Sequence, residues 1–324
     1  LIIEDPIIII EAMFEDSGNY DFPPYRPPNE ADSALIRITR GCPWNKCAFC
    51  SMYKQTKFEL RSPDEIMEDV HKARGIYGKA RFVFLGDSDN LVHKELPGIV
   101  SHIRTVLPEV ERVTAYARAR TLLNRKMKFL TEVREAGLDR LHIGLESGDP
   151  VVLERIRKGV TPDEMIRAGQ RAKEAGFEIS FYVLSGAGGQ DRWREHALES
   201  ARVCNEAKPD FIRLRTLTVL HGTPLHDMQG AGEFVITKPR ERLEEVLLFI
   251  ENLDLCNCYL ASDHFTNYLW AGHNPFYKGV AGNLTADKEL MKETLNRALE
   301  FIDSTDLEIK DSNQLYEEGV IPSL

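Results

Sequence analysis

Three cysteines fall within nine residues: Cys42, Cys47 and Cys50. The thiolate is the ligand form of cysteine, so thiols crowded into one loop point to a metal or an iron–sulfur cluster. No fourth cysteine lies nearby; the others are Cys204, Cys256 and Cys258. A structural metal site closes its shell, whereas a catalytic one keeps a position open. Three thiols reach three corners of an iron–sulfur cube and leave one iron free for a cofactor or substrate. Zinc held by the three cysteines and a histidine such as His71 is the other reading of the same residues. Cys256 and Cys258 would share one face of a strand, but they lack further cysteine partners for a second cluster.

The elements that must position this loop follow a repeating rhythm. β-rich runs over 34–40, 81–86, 112–118, 140–146, 178–185 and 211–216 alternate with charged helical stretches. Ser62, Pro63 and Glu65 form an N-cap, N1 proline and capping box, and Thr161, Pro162 and Glu164 repeat the device. Gly137 and Gly176 follow helical runs as C-caps. Spacings of this size suit βαβ units, so the fold class is α/β with a parallel sheet and helices outside, open or closed into a barrel. The cysteine loop directly follows the first strand, at the end where (β/α) barrels keep their active sites. A helix over 239–253, a possible seventh strand over 258–263 and a helix over 287–301 come later. The chain therefore divides into an irregular N-terminal extension (1–33), a core (34–225) and a C-terminal α/β extension (226–324). The proline-rich run from Asp21 to Pro28 is expected to be extended.

The 324 residues carry a net charge of −10, which argues against broad contact with nucleic acid. No stretch approaches the roughly 20 apolar residues of a membrane span. The N-terminus lacks the basic-then-apolar form of a signal peptide, and a cytoplasmic location is expected.

The motifs resemble a known family. Arg40-Gly41-Cys42-Pro43 after a strand, two further cysteines and the aromatic Phe49 before the last one are similar to the radical S-adenosylmethionine superfamily. Within it the likeness is to the branch that contains oxygen-independent coproporphyrinogen oxidase and the methylthiotransferases. That branch spaces its ligands Cys-x3-Cys-x2-Cys; here the first gap is one residue longer. The runs from Leu141 to Asp149 and Val152 to Thr161 resemble the family's fourth strand and following helix. Those from Ala175 to Ser180 and Gly186 to Gly189 resemble its fifth strand. The run from His221 to Leu225 resembles the turn after its sixth.

The resemblance implies a partial (β/α)6 parallel barrel, a 4Fe–4S cluster on Cys42, Cys47 and Cys50, and S-adenosylmethionine as cofactor. It implies an oxidoreductase that cleaves the cofactor reductively to a 5′-deoxyadenosyl radical acting on a small polar molecule. The electron donor would be a protein such as flavodoxin or ferredoxin. Phe49 matches the residue that contacts the adenine. Gly86, Asp87 and Ser88 match the segment that contacts the cofactor's ammonium group, with Asp87, or else Asp89, as the charged partner. Glu146 matches the position that bonds the ribose hydroxyls, Lys158 the cation that meets the carboxylate, and Tyr182 a further cofactor-facing position. Methyl or methylthio transfer, a non-catalytic cluster or haem carrier, and a zinc-binding module are the competing functions.

Strand parity adds to this. Residues two apart share a face, so if Glu146 points inward His142 does too, and Ser180 accompanies Tyr182. Thr114, Tyr116 and Arg118 share a face taken as inward, with Arg118 at the rim; Arg213 and Arg215 share another. Buried groups of this kind are costly unless bonded, to each other or to a polar substrate that carries a carboxylate. Arg118 and His142, with Asp263 and His264 after the possible seventh strand, are the candidate catalytic residues. Asn267 is a further candidate for substrate contact.

Overall fold

A computed structural model of the chain describes residues 26–27 and 30–320. The irregular run expected over 1–33, including most of Asp21 to Pro28, lies largely outside the described residues. Eight strands form one sheet: β1 (Ala34–Arg37), β2 (Phe82–Gly86), β3 (Arg112–Ala117), β4 (Arg140–Glu146), β5 (Glu178–Ser185), β6 (Phe211–Thr216), β7 (Tyr259–Ala261) and β8 (Ala281–Asn283). Their spatial order follows the chain, each strand beside its predecessor. β1 to β7 run parallel, and β8 returns antiparallel to β7. No described pairing joins β1 to β8, so the sheet has two edges among the described residues.

Between the strands lie α1 (Pro63–Tyr77), α2 (Leu96–Val106), α3 (Met127–Glu135), α4 (Pro162–Glu174) and α5 (Gly189–Ala207), followed by α6 (Pro239–Glu251) and α7 (Lys288–Ser304). Both capping boxes form: Ser62 and Glu65 close the start of α1, and Thr161 and Glu164 that of α4. No described helix is long and apolar enough to cross a membrane.

The alternation along the strands explains both faces of the sheet. Val83, Leu85, Val113, Ala115, Leu141, Ile143, Ile179, Phe181, Ile212 and Leu214 point outward into one apolar core with the helices. Burying each large side chain of this set is worth about 1.5–3 kcal/mol. The intervening residues form the inner face. Register pairs Phe84 with Thr114, Tyr116 with His142, His142 with Ser180, Gly144 with Tyr182, and Leu184 with Arg215. That face is largely polar, as parity predicts.

Two details depart from the expected elements. The first strand stops at Arg37; Thr39–Arg40 instead pairs with Glu59–Leu60 in a small antiparallel ladder. Residues beyond the sixth strand build more than the two helices and one strand expected: Leu269–Ala271, Asn274–Tyr277 and Ile309–Asp311 make a second, three-stranded sheet. An ion pair fixes that sheet to α6. Arg242 Nη1 donates to Asp311 Oδ2 at 2.8 Å and Nη2 to the Thr237 carbonyl at 3.0 Å, with both ionic side chains buried. Arg242→Met strands the Asp311 carboxylate and is expected to cost about 3–5 kcal/mol. Urea denaturation measures this; an unchanged midpoint means the pair contributes nothing.

Candidate active site

The cysteine loop is built to hold a fixed shape. Gly41 takes φ +79°, where a side chain would be strained and its Cβ would sit 3.2 Å from the Thr56 carbonyl. Its N–H donates to Asp87 Oδ2 at 2.9 Å, and its carbonyl accepts from Ser88 Oγ at 2.9 Å. Asp87 Oδ2 also takes two bonds from Arg37, at 3.2 and 3.0 Å. Within the first gap Asn45 sits at φ +48°. Asparagine tolerates that left-handed conformation better than most residues. Its N–H donates to Cys42 Sγ at 3.4 Å, its side chain to the Tyr53 carbonyl, and Lys54 Nζ caps its own carbonyl at 2.8 Å.

The loop is also tied to distant segments. Ala48 N–H donates to the Ile156 carbonyl, and the Ala48 carbonyl accepts from Leu225 N–H. Trp44 Nε1 donates to the Arg157 carbonyl at 2.9 Å, and its ring lies against Gly159, whose absent Cβ would meet the indole. Arg118 and Lys46 lie 5.3 and 5.1 Å from the Trp44 ring.

Cys42, Cys47 and Cys50 are free thiols that line one cavity of about 260 Å3. Burial raises the pKa of Cys47, with the Lys158 cation acting against it, and burial also raises that of Cys50. Among the described residues no three His, Cys, Asp or Glu side chains close around a point tightly enough for a single ion. His71 packs against His102 instead, at 5.2 Å between rings. His71 is not among the residues that line the thiols' cavity. Cys256 is exposed while Cys258 is buried, so the two do not present a shared ligand face.

Facing the thiols is an ion pair. Lys158 Nζ donates to Glu146 Oε1 at 2.7 Å, with both side chains mostly buried and lining the cavity. Burial alone would lower the lysine's pKa, but the charges of Glu146 and Cys47 outweigh it and raise it. Glu146 follows a bulge in β4 and sits at φ +62°. Gly144 makes the pair possible: a Cβ there would overlap Glu146 Oε1 and lie 2.6 Å from Lys158 Nζ.

The same cavity is also lined by Tyr116, His142, Tyr182, Leu184 and Arg215. His142 is fully buried, and its Nε2 lies 3.2 Å from Glu30 Oε1. Burial lowers the histidine's pKa. Burial pushes Glu30 up, but hydrogen bonds from His142 and Ser33 and the Arg112 charge bring it below the usual carboxylate range. A neutral ring beside a carboxylate donates from Nε2, which leaves Nδ1 as an acceptor. Burial pushes the Tyr182 phenol up to about 12.

Of the expected site residues, the cavity gathers Cys42, Cys47, Cys50, Phe49, Ser88, Arg118, His142, Glu146, Lys158 and Tyr182. Gly86 and Asp87 stand behind the loop rather than in it: Gly86 accepts from Ile38 N–H, and the Asp87 oxygen facing the loop serves Gly41 and Arg37. Asp89 is buried and bonded to Thr121 and to the Arg118 N–H; burial raises its pKa to about 6. Asp263 and His264 do not line the cavity. His264 Nδ1 bonds Thr266 Oγ1 at 2.7 Å, and burial lowers its pKa to about 4. Asn267 is spent on Thr216, Leu214 and Ser262 within the scaffold. Gly144, Trp44 and Glu30 escaped the sequence reading, although Gly144's place between His142 and Glu146 on one face was a usable signal.

A family model described as the radical SAM superfamily matches residues 36–201, just over half of the chain. The chain belongs to that superfamily and is an enzyme; its members use a 4Fe–4S cluster and S-adenosylmethionine. An uncharacterized methyltransferase of Pyrococcus horikoshii is 28% identical over 206 residues, covering 63% of this chain and 43% of that protein. The anaerobic magnesium-protoporphyrin IX monomethyl ester cyclase of Rubrivivax gelatinosus is 24% identical over 211 residues, 64% of this chain and 37% of the cyclase. The match thus spans less than half the length of either relative. The crystal structure of methylornithine synthase aligns over 90% of this chain and 87% of its own, at 18% identity and a TM-score of 0.49.

Proposed function

We propose that Cys42, Cys47 and Cys50 hold three corners of the 4Fe–4S cluster, and that S-adenosylmethionine lies between them and the Glu146–Lys158 pair. The observation that carries this reading is the shared cavity, lined by three free thiols, a carboxylate and an ammonium. The donor set fits, since three thiolates leave one iron open. When bound, the cluster and cofactor supply one-electron cleavage of the sulfonium and a 5′-deoxyadenosyl radical for hydrogen abstraction.

The chain's own residues then have separable tasks. Asp87 and Ser88 set the loop by gripping both polar atoms of Gly41. Lys158 offers its cation to the cofactor carboxylate, and Glu146 offers two acceptor oxygens to the ribose diol. Phe49 gives the adenine a flat apolar wall, and Tyr182 contributes a phenol beside it. Val160, Met165 and Leu184 keep water from the reacting centre. A small polar substrate occupies the rest of the cavity, with Arg118 at the rim. In this reading residues 34–225 carry the chemistry and 226–324 form the extension packed on it. A small electron-transfer protein such as flavodoxin or ferredoxin is the reductant.

Anaerobic reconstitution with iron and sulfide, then dithionite and S-adenosylmethionine, tests it. The expected product is 5′-deoxyadenosine. The likeness to the uncharacterized methyltransferase of Pyrococcus horikoshii favours a second reading, methyl transfer, which yields S-adenosylhomocysteine instead. A fully loaded protein that neither binds nor consumes the cofactor removes both.

A further inference from the structure

The cavity wall on β6 holds a positive charge that no described carboxylate pairs. Arg215 ends the inward row of β6 and lines the cavity beside Leu184. Its Nη1 donates to the Leu214 carbonyl at 3.0 Å, and its guanidinium lies 5.8 Å from the Tyr182 ring. Among the described residues no carboxylate comes within ion-pair distance of it. Three arginines elsewhere on the inner face are paired, Arg37 with Asp87, Arg140 with Glu178 and Arg112 with Glu30; Arg118 and Arg215 are the arginines that line the cavity, and of these Arg118 lies against the Trp44 ring. Burial lowers the Arg215 pKa, with Asp263 acting only from a distance. A half-buried guanidinium with no carboxylate beside it costs free energy that an anionic ligand would offset.

A second observation points to the same place. His142, fully buried across the Tyr182 ring at 6.0 Å, has no partner for Nδ1 among the described residues. Cation and acceptor thus flank one tyrosine, Tyr182, on the wall of the cavity. The space between them suits a molecule with an anionic group and a hydrogen-bond donor.

We propose that Arg215 binds an oxyanion, carboxylate or phosphate, of the substrate. The proposal rests on the assigned role of the cavity, with Lys158 left to the cofactor's own carboxylate. Arg215 is a binding residue in this scheme: its planar fork takes two oxygens of one group.

Thermal melting of the reconstituted protein, with S-adenosylmethionine present and ionic strength held with sodium chloride, reads the site without turnover. Acetate and inorganic phosphate are the probes, and acetamide is the neutral isostere of acetate. A ligand that binds only the folded protein raises its melting temperature. The expected result is a rise with acetate or phosphate and none with acetamide. Whichever anion acts names the oxyanion. The rise disappears in Arg215→Met and survives in part in Arg215→Lys. Without added anion, Arg215→Met is expected to melt about 2–4 °C above the parent, because the lone charge is gone. Arg215→Gln replaces it if the methionine variant does not fold.

The proposal is overturned if neither anion outdoes acetamide, or if the rise persists without Arg215. It is also overturned if Arg215→Met weakens S-adenosylmethionine binding tenfold, since the cation would then belong to the cofactor. Absence of cofactor cleavage in the parent protein is a separate result, which strikes the proposed function and leaves the anion measurement standing.

Discussion

Cys47→Ala is expected to lose iron and cofactor cleavage together. Cys47 is the thiol whose surroundings include both Lys158 and Glu146, so it links the cluster ligands to the cofactor-binding pair. Removing it leaves two thiols on a loop that supplies three. Losing an outer-shell partner of a metal site typically costs about 10–100-fold in affinity or activity; losing a ligand is expected to exceed that and bring 5′-deoxyadenosine formation to background. Iron content after reconstitution and product by chromatography are the measurements. Cys256→Ser, an exposed thiol far along the chain, should keep both. A Cys47→Ala protein that retains a full complement of iron and cleaves the cofactor would end the ligand assignment.

Gly144→Ala is expected to weaken cofactor binding without disturbing the cluster. The added carbon occupies the place of Glu146 Oε1 and crowds Lys158 Nζ at 2.6 Å. These are the far ends of side chains, so the pair shifts and the strand survives. Gly144 has no positive φ, and its backbone suits alanine. Displacing two charged groups that share a mostly buried space is expected to cost about 1.4 kcal/mol or more, a tenfold rise in the dissociation constant of S-adenosylmethionine. Equilibrium dialysis on the reconstituted protein gives the number. Gly75→Ala in α1, whose Cβ meets nothing within 4 Å, is the control for a harmless methyl. Unchanged affinity in Gly144→Ala would show that neither Glu146 nor Lys158 touches the cofactor.

Much of this site was legible in the chain because two simple periodicities carry it. β4, β5 and β6 fall where their β-rich runs end, and parity assigned Tyr116, His142, Tyr182 and Glu146 to the inner face. Both capping boxes were readable because Ser-Pro-Asp-Glu and Thr-Pro-Asp-Glu encode them locally. What escaped depends on contacts between distant residues. Nothing near Asp87 announces that one oxygen of its carboxylate is taken by Arg37 and Gly41. Arg213 and Arg215 share a face by parity, but only the register with Leu184 brings Arg215 to the cavity wall. The three strands of the second sheet are three or four residues long, too short for a period to declare itself. Asp263 and His264 looked chemical because polar residues cluster there; the cluster instead caps a turn and fastens the extension.

The two hydrogen bonds of Ala48 have a consequence for how the enzyme matures. One reaches Ile156, after the fourth strand, and the other Leu225, after the sixth. Closing loops of that length is entropically slow and comes after nearby contacts are made. The thiols therefore acquire their final spacing only when most of the wheel of strands has been wound. Cluster loading is expected to follow the folding of the chain rather than precede it.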